Sequence, residues 1–259
     1  MISIVLATYN WPKALKLCLE SLAVQTDSDF EIIIADDGST QNTGQLIAQM
    51  QATLPLSISH LWQEDQGFRK TKILNQAIAA AHGNYLVFLD GDCIVQPDFI
   101  ARHRALAQKG YLVTGSRILL NETLTQELLT WPQWSIARFK DNLIGKRLHG
   151  GINKYWPLII KLGDGTWRNY KKFVWRRIKG CNMACWKSDA EAIGGFDETM
   201  TGWGHEDADF VFRLQHHGVR RKSGSWSTEV LHLFHKIHDQ SNAAENAKRV
   251  REKILAKAL

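Results

Sequence analysis

Two stretches of this 259-residue chain put metal-ligating side chains at ligating spacings. Asp90-Gly91-Asp92 follows the apolar run YLVFL. Two carboxylates two apart on an exposed turn can hold a divalent cation and a ribose hydroxyl together. Hard oxygen ligands suit Mg²⁺ or Mn²⁺ bridging to a substrate diphosphate. A solvated turn has the same composition, so the position at the end of an apolar strand is what favours the metal reading. His232 and His235, in LHLFHKIH, lie three apart. On a strand they would face opposite ways; on a turn or helix they could converge on one ion, and imidazole with carboxylate is compatible with Mn²⁺.

A third stretch, GWGHEDADFVFRL, runs from Gly202 to Leu214. Glu206 and Asp207 open a helix, where acids favour the dipole. Capping needs neither two glycines nor a tryptophan. Gly202 and Gly204 let a loop move and let a sugar approach the backbone, Trp203 offers a sugar ring an apolar face, and a carboxylate could deprotonate a hydroxyl as general base. Asp36-Asp37-Gly38-Ser39 reads either as a capped turn or as a carboxylate that accepts a hydrogen bond from a nucleobase ring N–H. Arg69, Lys70 and Lys72 at a helix start are either a solvated face or cations near a diphosphate.

The elements around these residues alternate. Ser3–Thr8 is apolar and β-branched, and Pro12 suits the first turn of a helix with Leu15, Leu19 and Leu22 at helical spacing. Strands are expected at Glu31–Ala35, Leu56–Leu61, Tyr85–Leu89 and Tyr111–Thr114, with helices at Gln41–Gln51, Lys70–Ala81 and Pro97–Gln108 between them. Further strands are expected at Gly180–Trp186 and Glu229–Phe234. A helix at Ser188–Ile193 would be capped by Ser188 with Glu191 three residues on, and another is expected at His205–His217. Ser241–Leu259 reads as a helical tail. Alternation of this kind implies an α/β fold with a mostly parallel sheet, whose ligands bind outside the carboxyl ends of the strands. Thr8-Tyr9-Asn10, Asp36–Ser39 and Asp90–Asp92 all fall at such ends.

With those pieces in order, the chain resembles the inverting family 2 glycosyltransferases of GT-A fold. TYN at Thr8–Asn10, DDGS at Asp36–Ser39 and DGD at Asp90–Asp92 carry the first part. GGFDETMTGWGHEDADFVFRL resembles the acceptor-side motif of chondroitin-polymerase-like enzymes and β-1,4-galactosyltransferases. The resemblance covers about residues 1–115 and 178–238. It implies a UDP-sugar donor, a Mn²⁺ or Mg²⁺ cofactor, and a saccharide or lipid-linked glycan acceptor in surface-glycan synthesis. By the same resemblance, Asp37 with Asp36 binds uracil and Thr8, Tyr9 and Asn10 line the nucleotide pocket. Asp90 meets the ribose; Gly91 in the same turn, and Arg69 from the residue reading above, are grouped with the nucleotide-binding residues. Asp92, His232 and His235 hold the metal, Asp207 is the general base, Glu206 binds acceptor hydroxyls, and Gly180 and Asn182 face the donor sugar.

Composition is ordinary and globular, with 44% hydrophobic and 22% charged residues and a net charge of +6. The start of the chain lacks the features of a signal peptide, no apolar run is long enough to span a bilayer, and the four cysteines are expected as reduced thiols, which together suggest the cytoplasm. One domain is expected: a nucleotide-sugar half at 1–115, a basic aromatic insertion at 116–178, an acceptor half at 179–238 and a C-terminal helix at 239–259. From Trp131 to Lys179 there are twelve Lys or Arg, two acids and five tryptophans. A solvated insertion and nucleic-acid binding are both weighed there, but no nucleic-acid module is recognisable. The favoured partner is an anionic membrane surface at the inner face of the cytoplasmic membrane. The rival functions are a glycan-binding module without catalysis and a nucleotidyltransferase, for which LATYNWPKALK has too few glycines.

Overall fold

The computed structural model describes residues 1–174, 178–236 and 242–256. Its strands are β1 (Ile2–Thr8), β2 (Phe30–Asp36), β3 (Ile58–Trp62), β4 (Tyr85–Asp90), β5 (Cys93–Ile94), β6 (Tyr111–Thr114), β7 (Arg117–Leu119), β8 (Asn169–Tyr170), β9 (Asn182–Trp186), β10 (Arg220–Ser223) and β11 (Val230–His232). The helices are α1 (Pro12–Leu22), α2 (Gln41–Thr53), α3 (Lys70–Ala80), α4 (Phe99–Leu106), α5 (Glu122–Leu129), α6 (Ile136–Lys140), α7 (Leu143–Leu148), α8 (Trp156–Ile159), α9 (Lys187–Ala192), α10 (Glu206–His216) and α11 (Ala243–Ala256). Among the described residues, eight strands form the main sheet in the order β3-β2-β1-β4-β9-β6-β10-β8, and β5-β11-β7 form a small second sheet.

The pairs β3–β2, β2–β1 and β1–β4 are parallel. Such strands are buried on both faces, so every residue of β1 is apolar or small. Alternate side chains then serve opposite layers. Ile2, Ile4 and Leu6 pack with Leu15 and Leu19 of α1, Ile47 of α2 and Phe99 of α4. Val5 and Ala7 pack with Ile73 of α3 and with Phe210 and Val211 of α10. Each fully buried aliphatic side chain contributes roughly 1.5–3 kcal/mol, so an acid at Val5 would split both the sheet and its helix layer. The order reverses direction at β9, which is antiparallel to both β4 and β6. Because two reversals cancel, the carboxyl ends of β4 and β6 open on the same edge. The fold class is the expected mixed α/β sheet flanked by helices.

Several boundaries differ from the sequence reading. Helix α9 starts one residue early, with Trp186 preceding it and no side-chain cap, so the Ser188 cap is not formed. The late strand shortens to Val230–His232, which leaves residues 233–236 to turn. The short strands β5, β7, β8 and β10 carry too few residues to have a readable period. All four cysteines are buried and unpaired.

The basic middle segment folds into α5–α8 and a 3₁₀ turn at Thr166–Arg168. Its tryptophans divide. Trp131 and Trp134 are buried and stacked 5.9 Å apart in a third core with Phe139, Leu143 and Leu158. Trp156 and Trp167 are exposed, and Trp175 lies outside the described residues. Two of the five tryptophans therefore hold the insertion together instead of presenting it to a surface. Among the described residues, no helix is long and apolar enough to cross a membrane.

Candidate active site

Three structures meet at the carboxyl end of β4. The strand delivers Asp90 at its last position, and the turn into β5 delivers Asp92. The small sheet pairs β11 antiparallel to β5, with His232 opposite Cys93, which brings His232 beside Asp92. The chain leaves β11 at once, and the Leu233 N–H donates to the Asp92 carbonyl at 3.0 Å. That turn returns His235 to the same side. His235 Nε2 lies 3.3 Å and His232 Nε2 3.7 Å from Asp92 Oδ2. One donor atom from each of the three side chains falls within 4.8 Å of the others. Neighbouring ligands of an ion bound at about 2.1 Å lie about 3 Å apart, so the spacing fits one divalent cation. The His235 Nδ1–H donates to the Lys236 carbonyl at 2.9 Å, which leaves Nε2, the nitrogen facing Asp92, as the basic one. His232 Nε2 accepts from Arg117 Nη1 at 3.3 Å, so His235 is the better-presented ligand of the two.

Helix α10 supplies the acids. Asp207 Oδ2 accepts the Gly180 N–H at 2.9 Å and Oδ1 accepts the Ala208 N–H at 2.7 Å. Glu206 Oε2 accepts the Gly204 N–H at 3.1 Å. Lys70, at the start of α3, donates from Nζ to Asp90 Oδ1 at 2.6 Å. Lys70, Asp90, Gly180, Glu206, Asp207 and the apolar Phe196 line one small cleft. Burial pushes the Asp207 carboxyl up, against the two backbone N–H groups that pull it down. Burial and then the charge of Asp207 push Glu206 up to about 7, while Lys70 works the other way. Burial would lower the Lys70 ammonium, but Asp90 and Glu206 outweigh it and hold it above its usual range. The cleft therefore holds a cation and a proton-binding carboxylate pair side by side.

The expected nucleotide residues cluster at the ends of β1 and β2. Asp37 Oδ2 accepts the Arg69 N–H at 2.9 Å and Oδ1 accepts from Gln63 Nε2. Burial raises its carboxyl above the usual range. Tyr9 is exposed and donates to Asp65 at 2.9 Å, and Asn10 accepts the Thr40 N–H at 2.9 Å. Gly38 has φ +94, and a Cβ there would fall 2.6 Å from the Asp65 backbone, so only glycine closes this turn. The Gly91 N–H donates to the Ala7 carbonyl at 2.8 Å, and Thr8 lies beneath Gly91.

Other candidates are placed elsewhere. Asp36 is fully buried, holding the Ser39 N–H at 2.8 Å and His60 at 3.0 Å, so it shapes the turn and does not face the pocket. Asn182 is 1% exposed and is spent on the Ser116 and Thr228 carbonyls and on His103, which turns it away from the donor side. Arg69 sets Nη2 on the Glu64 carbonyl at 2.6 Å and bonds Asp37 through its backbone N–H, while its charge acts on that carboxylate without a side-chain hydrogen bond. Trp203 stays half-exposed. The glycines around it serve close approach: a Cβ on Gly202 would fall 2.5 Å from Asn242 and one on Gly204 3.3 Å from Ala243. Asn246 of α11 donates to the Thr201 and Gly204 carbonyls at 3.2 and 3.1 Å. Sequence reasoning missed this clamp, missed Arg117, and saw Lys70 only as one of three helix-start cations. None of the three has a local signal, because each partner is far along the chain.

A family model described as glycosyl transferase family 2 matches residues 3–173, and one described as the N-terminal domain of galactosyltransferase matches residues 168–236. Among curated relatives, validoxylamine A glucosyltransferase from Streptomyces hygroscopicus subsp. jinggangensis is 26% identical over 259 residues, covering 90% of this chain and 56% of the relative. Chondroitin synthase from Escherichia coli is 28% identical over 231 residues, covering 86% of this chain and 33% of the synthase. The chain thus spans about half the length, or less, of these relatives. Among solved structures, the Pyrobaculum calidifontis mannosyltransferase in complex with GDP-Man and Mn²⁺ matches with a TM-score of 0.64 at 17% identity, over 99% of this chain and 63% of that one. S. aureus TarS 1-349 in complex with UDP-GlcNAc matches at 0.64 and 16%, over 98% and 66%. These neighbours carry the GT-A fold.

Proposed function

We propose that this chain, which belongs to glycosyl transferase family 2, is a transferase that moves a hexose or N-acetylhexosamine from a UDP-sugar to a saccharide acceptor with inversion. The observation that carries this reading is the meeting of Asp207 and Glu206 with Asp90 and Lys70 in one cleft, at the strand end whose following turn sets Asp92 against His232 and His235. Asp37, with its raised carboxyl, accepts the uracil ring N–H, and Thr8, Tyr9 and Asn10 border the base. Asp90 takes a ribose hydroxyl. Asp92, His235 and His232 would hold Mn²⁺ or Mg²⁺, which supplies charge to stabilise the departing diphosphate. The metal-bound Pyrobaculum neighbour and the UDP-GlcNAc-bound TarS neighbour support this choice of ligands.

The step is a single displacement. Glu206 fixes the acceptor, and Asp207 takes the proton from its hydroxyl. The hydroxyl oxygen forms a bond to the anomeric carbon as the bond to the diphosphate oxygen breaks, and UDP leaves with that electron pair. Attack from the opposite face inverts the centre. Backbone N–H groups on both Asp207 oxygens hold the base in place while leaving lone pairs for the proton. Residues 1–259 act in this reading as one domain.

The acceptor proposed is a lipid-linked surface glycan such as a lipopolysaccharide or capsule precursor, met at an anionic membrane surface. Exposed Ile144 and Leu148 on α7 and Trp156 and Ile159 on α8, beside Lys146 and Arg147, support that docking. The deciding experiment is UDP release with Mn²⁺ across a panel of UDP-sugars, beside Asp92→Ala. Release from one donor, lost in the variant and with chelator, is expected. No release and no binding of any UDP-sugar would overturn the reading.

A further inference from the structure

The carboxyl edge of the sheet carries a second cavity, of about 550 Å³, away from the cleft. It lies at the β6-β10-β8 end of the strand order, opposite the β2–β3 end that holds Asp37. Ser116 just after β6, Ser223 and Ser225 at the end of β10, and Asn169 of β8 contribute to its walls. The two sites share a partition. Gly180 lines the cleft, and two residues on, the Asn182 side chain donates to the Ser116 carbonyl at 3.1 Å in the wall of the cavity.

The cavity is built, not incidental. Trp167 and Trp226 flank it and are 58% and 37% exposed. Arg168 is 1% exposed and spends its guanidinium on the carbonyls of Gly163, Ser223, Ser225 and Leu162 at 2.7–2.8 Å, with its centre 4.2 Å from the Trp167 ring. A buried cation thus pins two loops together and backs an indole. Trp226 has φ +63, a left-handed conformation costly for a bulky residue. The buried Glu229 carboxylate holds that turn by accepting the Trp226 N–H at 2.6 Å. Asn169 Oδ1 has no hydrogen-bond partner among the described residues, although it is shielded from solvent. Serine hydroxyls set between two presented indoles match one ligand chemistry. A pyranose offers C–H faces to aromatic rings and hydroxyls to serines and amides. A bilayer would need a convex apolar face, which this concavity lacks.

We propose that this cavity is a distal saccharide subsite that holds a non-reacting unit of the acceptor glycan, and so sets a minimum acceptor length. The proposal rests on the transferase reading of the cleft. The test uses Trp167→Ala, Trp226→Asn, which keeps the left-handed backbone accessible, and their combination. Each full-length protein is applied to an array of defined oligosaccharides two to six units long and, separately, assayed for acceptor-free hydrolysis of UDP-sugars. The wild type is expected to retain at least one array glycan, with retention down at least tenfold in the double variant and hydrolysis within twofold. No glycan retained by the wild type, or retention within twofold in the double variant, overturns the subsite. Tryptophan-dependent capture by a protein that hydrolyses no nucleotide sugar supports the saccharide site and counts against the transferase reading instead.

Discussion

Lys70→Met tests the electrostatics of the cleft. The lysine and its partner Asp90 have side chains 17% and 27% exposed, 2.6 Å apart. Removing one partner of a fully buried pair costs roughly 3–5 kcal/mol, and an exposed pair is worth about 0–1. The partial burial here places the loss near 2 kcal/mol, or roughly 4–8 °C in Tm for a chain of this size. The loss also depends on pH. Glu206 has a folded pKa raised to about 7 from 4.5, so its neutral form favours the fold at low pH, and that contribution is lost as pH rises through 7. Lys70 limits this loss by holding the ionised form. Without it the Glu206 carboxyl climbs further, each unit being about 1.4 kcal/mol, and the Tm gap from wild type widens between pH 5 and pH 8. Thermal melts at both pH values measure it, with Lys70→Arg expected to recover most of the gap. Identical melts for Lys70→Met and wild type across that range, or a gap that does not grow with pH, would refute the reasoning.

The other predictions concern single groups. Asp207→Asn should lower transfer by roughly 10²–10⁴-fold with UDP-sugar affinity nearly unchanged, and near-normal transfer would remove Asp207 as base. Asp92→Ala should weaken Mn²⁺ binding at least tenfold by calorimetry, His235→Ala more than His232→Ala, because His235 Nε2 is the nearer and better-presented nitrogen. Glu206→Gln should abolish the fall in Tm between pH 5 and 8 that the wild type owes to this carboxyl; an unchanged slope assigns the fall elsewhere. Asn246→Leu should free the Thr201 and Gly204 carbonyls, cost about 2 kcal/mol and raise the acceptor KM more than it changes donor hydrolysis.

The first half of the sheet was readable because parallel strands covered on both faces must be continuous apolar runs: β1, β2 and β4 fall within a residue or two of where their composition puts them. Asp37, Asp90 and Asp92 could be picked out for the same reason, since each interrupts the polarity pattern where such a strand ends. Asp36, one position earlier, could not be told from its neighbour, because only the fold turns it toward His60. Trp131 and Trp134 looked like surface groups among cations; they lie in the connection between α5 and α6, whose packing against the third core no local period announces. Gly202 and Gly204 suggested mobility, whereas their partners, Asn242 and Ala243, sit some forty residues on where α11 begins.

The α/β class, the strand ends that carry acids and the helix that opens with Glu206-Asp207 were all legible along the chain. These follow from local periodicity and from the side-chain chemistry of neighbours in the chain. Tertiary structure alone decided that His232 and His235 turn onto one carboxylate, that Lys70 stands between Asp90 and Glu206, and that the two antiparallel pairings of β9 align two concavities on one edge. Each of those facts joins residues that only packing brings together, and packing is a property of the whole core rather than of any stretch of it.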